Sequence, residues 1–250
     1  MEKITILGVP IDSVTLAEAG ERTKELIEES NKTCKMIFAP NTEFIIKANG
    51  DKEFFDILKQ SDLSTPDSVG VELGAKLQGK AFKQRIPGQS YFREILRLGL
   101  KENWTFYLLG GEEAVIREAR ENIIKMYPSI KIVGTHNGFF NSEEEKKMIQ
   151  EINELQPNVL FVALGAPRQE KWIYNHRHEL KVDVAAGQGG TFDFEAGKLK
   201  RAPITIQKIG LEWLWRLIQE PWRIVRMMAL PAFLFKIIIS KDKTKGAFDE

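Results

Sequence analysis

The sequence predicts an α/β protein: a Rossmann-like, mainly parallel sheet with helices on both faces, followed by a basic amphipathic C-terminal helical appendage. Three observations carry this reading. Short apolar runs alternate with helix-length amphipathic segments, the order expected of right-handed βαβ crossovers. The run Val159–Leu164 is apolar at every position, as a strand covered on both faces requires. From about Lys198 the composition shifts, and the basic residues between Lys198 and Lys245 face only Glu212, Glu220 and Asp242. The chain is therefore divided into an α/β unit, residues 1–197, and a helical appendage, residues 198–250.

Taken in order, Ile4–Leu7 reads as a first strand closed by Gly8. A helix follows at Leu16–Glu29, where Thr15 and Glu18 have capping-box spacing. Met36–Ala39 is a strand running into Pro40-Asn41-Thr42-Glu43. Phe44–Ala48 and Lys52–Lys59 are helical, Asp62–Ser64 is a short strand, and Val69–Leu77 is a helix stopped by Gly79. Arg85–Ser90 is a loop and Tyr91–Leu100 an amphipathic helix. The second half is more regular: strand Trp104–Leu109, turn Gly110-Gly111, helix Glu112–Met126, strand Ile130–Gly134 and the loop His136–Phe140. Ser142 and Glu145 have the spacing of a second capping box, opening a helix to Leu155. Asn158–Leu164 is a strand, its helix runs to about His178, and a last strand at Val182–Ala186 ends in Gly187-Gln188-Gly189-Gly190.

A chain of 250 residues with 43% hydrophobic content has material for a large core and is not expected to be disordered. The net charge of +1 argues against whole-protein attraction to nucleic acid. The single cysteine, Cys34, excludes an intramolecular disulfide and reads as a core residue in a reducing compartment. The N-terminus lacks the apolar stretch of a signal peptide, and no run of about twenty apolar residues marks a membrane-spanning helix. The most apolar stretch, Met227–Ile239, is interrupted by Pro231 and Lys236 and reads as a core, interfacial or re-entrant piece.

Ligands of open α/β sheets bind at the carboxyl ends of the strands. In this chain those ends are marked by Gly8, Gly110-Gly111, Gly134, Gly165 and Gly187-Gly189-Gly190. Glycine lets backbone N–H groups approach a ligand, and the following helix start favours an anion, which suits a nucleotide diphosphate. Neither the G-x-G-x-x-G dinucleotide fingerprint nor the G-x-x-x-x-G-K-S/T phosphate loop occurs, so no cofactor is expected. Asp67, after Pro66 and before a helix, is read either as a helix N-cap or as a general base. Asn41 is a turn residue or a hydroxyl-binding amide, and Arg85 a phosphate partner or a solvated loop residue. Arg168, Gln169, Glu170 and Lys171 crowd the first turn after Gly165. His176 and His178 are two apart and share no helical face, and Asp193 with Glu195 is thin evidence for a cation, so no metal is expected. In the appendage, Arg216 and Arg223 share a helical face with Arg226 a turn further, opposite Leu211, Leu214, Ile218, Trp222 and Val225. That pattern is read either as a membrane-surface helix or as a helical pair packed on the sheet.

These residues resemble one family, the WecG/TagA/CpsF bacterial glycosyltransferases. The resemblance is carried by Pro40–Glu43, Pro66-Asp67, Leu108–Gly111, Ile132–Phe140, Leu164–Trp172, Gly189–Phe194, Arg201–Pro203, Leu211–Arg216 and Gln219–Pro221, in order along nearly the whole chain. It implies inverting transfer of N-acetylmannosamine from UDP-ManNAc to GlcNAc-diphospho-undecaprenol, through a β-1,4 bond, in wall teichoic acid linkage-unit synthesis. A related UDP-sugar transfer for exopolysaccharide is the nearest alternative, a nucleotide-binding oxidoreductase a remote one, and a non-catalytic membrane adaptor a third. By the same resemblance Asp67 is the base. Asn41, Arg85, Gly110, Gly111, His136, Asn137, Gly165, Arg168, Gln169, Gly189, Gly190 and Asp193 are substrate-binding candidates. Arg216, Arg223 and Arg226 are read as contacts to the lipid diphosphate or to anionic headgroups. The implied setting is peripheral, on the cytoplasmic face of the bacterial cell membrane, with the oligomeric state left open. Ala39, Ser68 and the Pro87-Gly88-Gln89-Ser90 loop depart from the family pattern.

Overall fold

The computed structural model describes residues 1–203, 205–206, 212–221, 224 and 228–245. Its elements, in chain order, begin with β1 (Lys3–Ile6), β2 (Val9–Asp12), α1 (Leu16–Glu29), β3 (Lys35–Phe38), α2 (Thr42–Ala48), α3 (Lys52–Lys59), β4 (Leu63–Ser64) and α4 (Val69–Leu77). They continue with α5 (Gly88–Glu102), β5 (Thr105–Gly110), α6 (Glu113–Met126), β6 (Lys131–His136), α7 (Ser142–Leu155), β7 (Val159–Ala163), α8 (Arg168–His176), β8 (Val184–Gly187) and α9 (Thr191–Glu195). The C-terminal segment contributes α10 (Glu212–Gln219) and α11 (Ala229–Lys245).

The main sheet has six strands, all parallel, in the order β4-β3-β8-β7-β5-β6. From β3 the chain steps outward to β4, and from β5 it steps outward in the opposite direction to β6. The later strands β7 and β8 fill the gap between, so their trailing loops lie mid-sheet, where such a reversal leaves a crevice. Alternation along the strands explains the continuous apolar runs. Leu160 and Val162 of β7 join one core layer with Tyr107, Leu109, Met36 and Phe38. Val159 and Phe161 join the other with Phe106, Leu108 and Ile37. Each such side chain contributes roughly 1.5–3 kcal/mol by leaving water. Cys34 is buried, as expected of a core residue.

The N-terminus differs from the sequence expectation. Ile4–Leu7 is not the first strand of the parallel sheet. Residues 3–6 pair antiparallel with β2, an element the sequence reading missed, in a separate two-stranded sheet. Leu7 (φ 45°) and Gly8 (φ 85°) form its two-residue turn, so Gly8 closes a hairpin and does not mark a ligand loop. The hairpin packs Ile4, Ile6, Val9 and Ile11 into the core, and its buried Asp12 accepts the Ser64 amide at 2.8 Å, tying the hairpin to β4.

Helix starts follow their caps. Thr15 and Glu18 form the expected capping box on α1. The second box lies one residue earlier than read: Asn141 caps α7, with Glu144 as its partner. Asn offers the same acceptor as Ser one position upstream, so the pattern alone does not separate the two registers. Gly134 lies inside β6 against the Tyr107 ring and not at a strand end.

The stretch Met227–Ile239 was read as interrupted at Pro231, yet α11 runs through it. Pro231 is its third residue, in the first turn, where the missing N–H costs nothing. Phe233 and Ile237 are buried in the same cluster as the sheet core. They reach α4 at Gly74, where an added Cβ would sit 2.6 Å from Ile237 and 2.8 Å from Phe233. The other side of α11 leaves Phe235, Ile238 and Ile239 exposed.

Candidate active site

Because all six strands are parallel, their carboxyl ends share one edge, and the loops that follow them gather most of the sequence-predicted residues. Asn41 follows β3, Asp67 follows β4, Gly110-Gly111 closes β5, His136 ends β6, Gly165 follows β7, and Gly189-Gly190 follows β8. At the opposite edge a concavity of about 320 Å³ is lined by Cys34, Asp62, Arg177 and His178, among others; no sequence-predicted site residue borders it.

Asp67 is not the cap of α4. That role falls to Ser68, whose hydroxyl accepts the Val71 amide. Asp67 Oδ1 instead accepts the backbone N–H of Gly88 at 2.9 Å, so the β4 loop is held to the start of α5. The carboxyl is raised above its usual value, first by removal from water. The Gly88 bond opposes the rise, the Glu212 charge adds to it, and Arg85 and Arg216 oppose it. A carboxylate so placed binds a proton more readily than one in water, the direction a general base requires. Arg85, 3.9 Å from Glu72, is half-buried in the loop before α5 and adds a cation to this corner.

Asn41 caps α2, its Oδ1 accepting the Phe44 amide at 3.1 Å. This realises the local reading of Asn41 and fixes the loop it sits in. Gly110 is required by close approach: at φ 130°, a Cβ there would collide with the Ala163 carbonyl of the neighbouring strand. The same carbonyl accepts Gly111 N–H at 3.3 Å, and Gly111 in turn accepts from Gly138 at 2.8 Å. Asn137 donates to Glu113 at 2.9 Å and accepts the Phe139 amide, closing the loop after β6. The His136 ring meets Phe140 edge-on at 5.8 Å, and the exposed Arg168 guanidinium lies over the same Phe140 ring, 5.3 Å from its centre. Gly165 (φ 77°) begins the turn to the cis Ala166-Pro167 peptide, and nothing packs where its Cβ would be.

Gln169 is buried. Its Oε1 accepts Gly189 N–H at 3.0 Å and its Nε2 donates to Glu170 at 2.6 Å. Glu170 is wholly buried, and burial raises its carboxyl to about 7 against the opposing Gln169 bond, its own backbone amide and the Lys47 charge. In sequence, Glu170 is one of four polar residues crowding a helix start, with nothing to set it apart. An acid in the first turn of a helix is normally a solvated dipole partner, so no local signal separates this one.

From the C-terminal segment, Arg216 lies beside Gly190, where an added Cβ would fall 2.5 Å from its Nη2 and 3.4 Å from Asp193 Oδ2. Its guanidinium stacks over Phe194 at 5.0 Å and pairs with Glu220 at 2.8 Å. Asp193 is raised by burial, with Lys198 and Arg216 opposing. One arginine of the appendage thus stands at the loop after β8, 149 positions from Asp67 in sequence yet within reach of its charge. Arg223 and Arg226 lie outside the described residues, as do Leu211, Trp222 and Val225. Among the described residues no three His, Cys, Asp or Glu side chains converge as a metal site.

The model of the glycosyl transferase WecG/TagA/CpsF family matches residues 4–247. A Bacillus subtilis (strain 168) N-acetylglucosaminyldiphosphoundecaprenol N-acetyl-beta-D-mannosaminyltransferase is 35% identical over 99% of this chain and 95% of its own. The protein of the same name from Staphylococcus aureus (strain MW2) is 29% identical over 98% of this chain and 96% of its own.

Proposed function

This chain belongs to the glycosyl transferase WecG/TagA/CpsF family, and we propose that it moves N-acetylmannosamine from UDP-ManNAc to GlcNAc-diphospho-undecaprenol, forming a β-1,4 bond in wall teichoic acid linkage-unit synthesis. The observation that carries the chemistry is Asp67. It stands at the carboxyl edge of the sheet with one oxygen tied to Gly88 N–H, in the field of Arg85 and Arg216. In a single displacement, Asp67 takes the proton of the acceptor 4-hydroxyl as that oxygen attacks the anomeric carbon. The bond to UDP breaks, UDP leaves with the electron pair, and the configuration inverts. Charge on the departing diphosphate is met by backbone N–H groups of the glycine loops and by Arg216.

The lipid acceptor sets the location. Among the described residues no helix is long and apolar enough to cross a membrane. Exposed Phe235, Ile238 and Ile239 on α11 offer an apolar strip in a segment rich in lysine and arginine, the composition of a helix lying in an anionic interface. We place the protein on the inner face of the cell membrane, with α10 and α11 between the lipid surface and the strand-end loops.

The test is UDP release from a small panel of UDP-sugars, with and without a short-chain lipid-diphosphate-GlcNAc acceptor. Release from UDP-ManNAc that depends on the acceptor, with a product heavier by one N-acetylhexosamine, is expected. Acceptor-dependent release from another UDP-sugar alone would leave the transfer class standing and overturn the sugar.

A further inference from the structure

The pair Gln169–Glu170 carries a consequence that the transfer chemistry alone does not require. A buried carboxyl costs free energy unless its oxygens are satisfied, and Glu170 Oε2 has no hydrogen-bond partner among the described residues. The carboxyl is wholly buried and lies against the end of β8. A Cβ added at Gly187 would meet Gln169 Nε2 at 2.7 Å and Glu170 Oε1 at 3.0 Å, so glycine there makes room for both side chains. The Gln169 amide is read from both ends. An N–H can only donate, and Gly189 N–H occupies Oε1 at 3.0 Å; Glu170 Oε1 accepts from Nε2 at 2.6 Å. Only one flip of the amide satisfies both partners.

We propose that Glu170 is a positioning residue for sugar transfer: it fixes the flip of the Gln169 amide and, through it, holds the Gly189-Gly190 turn beside Arg216 in the shape that receives the donor. The inference rests on the nucleotide-sugar reading of this edge given above. Gln169 on this view does its work from below the turn, since its polar atoms are spent on Gly189 and Glu170. Gly190 keeps its outer side for Arg216, and Asp193 flanks the same spot. The local geometry therefore runs from Glu170 through Gln169 and Gly189 to Gly190 and the Arg216 guanidinium beside it.

Reciprocal exchange tests it. Glu170→Gln keeps an oxygen to accept from Gln169 and is expected to retain transfer within about threefold of wild type, much less than the loss of one hydrogen bond to a charged group. Glu170→Leu removes the acceptor and is expected to lower kcat about tenfold or more with a smaller change in acceptor KM. Gln169→Glu sets two carboxyls face to face and is expected to be worse still. The double variant Gln169→Glu/Glu170→Gln restores a donor opposite an acceptor and leaves an acceptor for Gly189 N–H, so about tenfold or more of the lost activity should return. Hydrogen exchange at the Gly189 amide reports the latch without any substrate: protection should fall in Glu170→Leu and return in the double variant. A double variant no more active and no better protected than Gln169→Glu, or a folded Glu170→Leu with wild-type kcat and wild-type protection, overturns the proposal. If wild type transfers no sugar from any UDP donor, the functional reading fails, while the exchange measurement still decides whether Glu170 holds the turn.

Discussion

Glu170 makes a stability prediction that can be worked from the fold alone. In the unfolded chain its carboxyl titrates near 4.5; buried in the fold it is raised to about 7. Between those values the folded state binds more protons than the unfolded state, so stability falls as pH rises through the window. Below 4.5 both states are protonated and no penalty exists, whereas above about 7 the full cost of a buried charge is present. The span corresponds to about 3 kcal/mol at 1.36 kcal/mol per pH unit. Glu170→Gln cannot ionise, so its stability relative to wild type should improve by up to about 3 kcal/mol between about pH 4.5 and pH 8.5. For a chain of this size that is roughly 6–12 °C in Tm. Thermal unfolding of both proteins at several pH values measures the difference directly. A difference in Tm that stays flat across the range, or that moves against the variant as pH rises, would refute a neutral buried carboxyl at this position.

Three further outcomes are expected. Asp67→Asn should retain the fold and donor binding but lose transfer by about a hundredfold or more, as removal of a general base does; in wild type, kcat/KM should rise with pH through an acid limb lying above the usual carboxylate value, because the base acts when deprotonated and its proton affinity is raised by burial. Gly110→Ala should destabilise by about 1–3 kcal/mol and lower transfer, since the strand ends of β5 and β7 must part to admit a Cβ; urea unfolding and UDP release report the two effects. Phe233→Ala should cost about 3–5 kcal/mol at most and loosen α11 first, because that ring joins α11 to α4; hydrogen exchange confined to α11, with the β5 and β7 amides still protected, is the expected pattern.

The sequence made the parallel sheet readable because its strands are buried on both faces, and runs such as Val159–Ala163 carry no polar residue to confuse their period. The candidate site was readable where loop position and residue type coincide: glycines at strand ends and polar residues in the loops after them. It was not readable where a residue type has an ordinary local use. Asp67 has the position of a cap, and only the fold shows that Ser68 takes that part and leaves the carboxylate free to accept Gly88 N–H. Glu170 has the position of a solvated helix-start acid, and only the packing of α8 on the end of β8 buries it. The hairpin β1–β2 was missed for a similar reason. Ile4–Leu7 reads as a strand, but Pro10 lacks a ladder donor and disguises β2, and the Leu7-Gly8 turn lacks the Asn-Gly or Asp-Gly pair that announces such turns.

The Asp67 carboxyl is raised first by burial, and groups from two distant parts of the chain adjust it, which bears on what α10 contributes to the proposed transfer. Arg85, in the loop before α5, favours the carboxylate, and so does the Gly88 amide at the start of that helix. The first residue of α10, Glu212, disfavours it, and Arg216, one turn along the same helix, favours it more weakly than Glu212 disfavours it. Glu212 is itself engaged by Arg201 at 3.2 Å, and Arg201 also donates to Ser90 of α5 at 3.0 Å. The appendage therefore does not act on Asp67 merely as a source of positive charge. Burial comes first in raising this carboxyl, and α10 brings one charge of each sign to it, Glu212 adding to the rise and Arg216 opposing it. The same helix delivers Arg216 to Gly190 and Asp193, the spot at which the proposed displacement would release its diphosphate. One short helix thus brings Glu212 and Arg216 within reach of the Asp67 charge and sets Arg216 beside Gly190 and Asp193. In the proposed displacement these are the side of the attacking hydroxyl and the side of the departing diphosphate, across the anomeric carbon from one another.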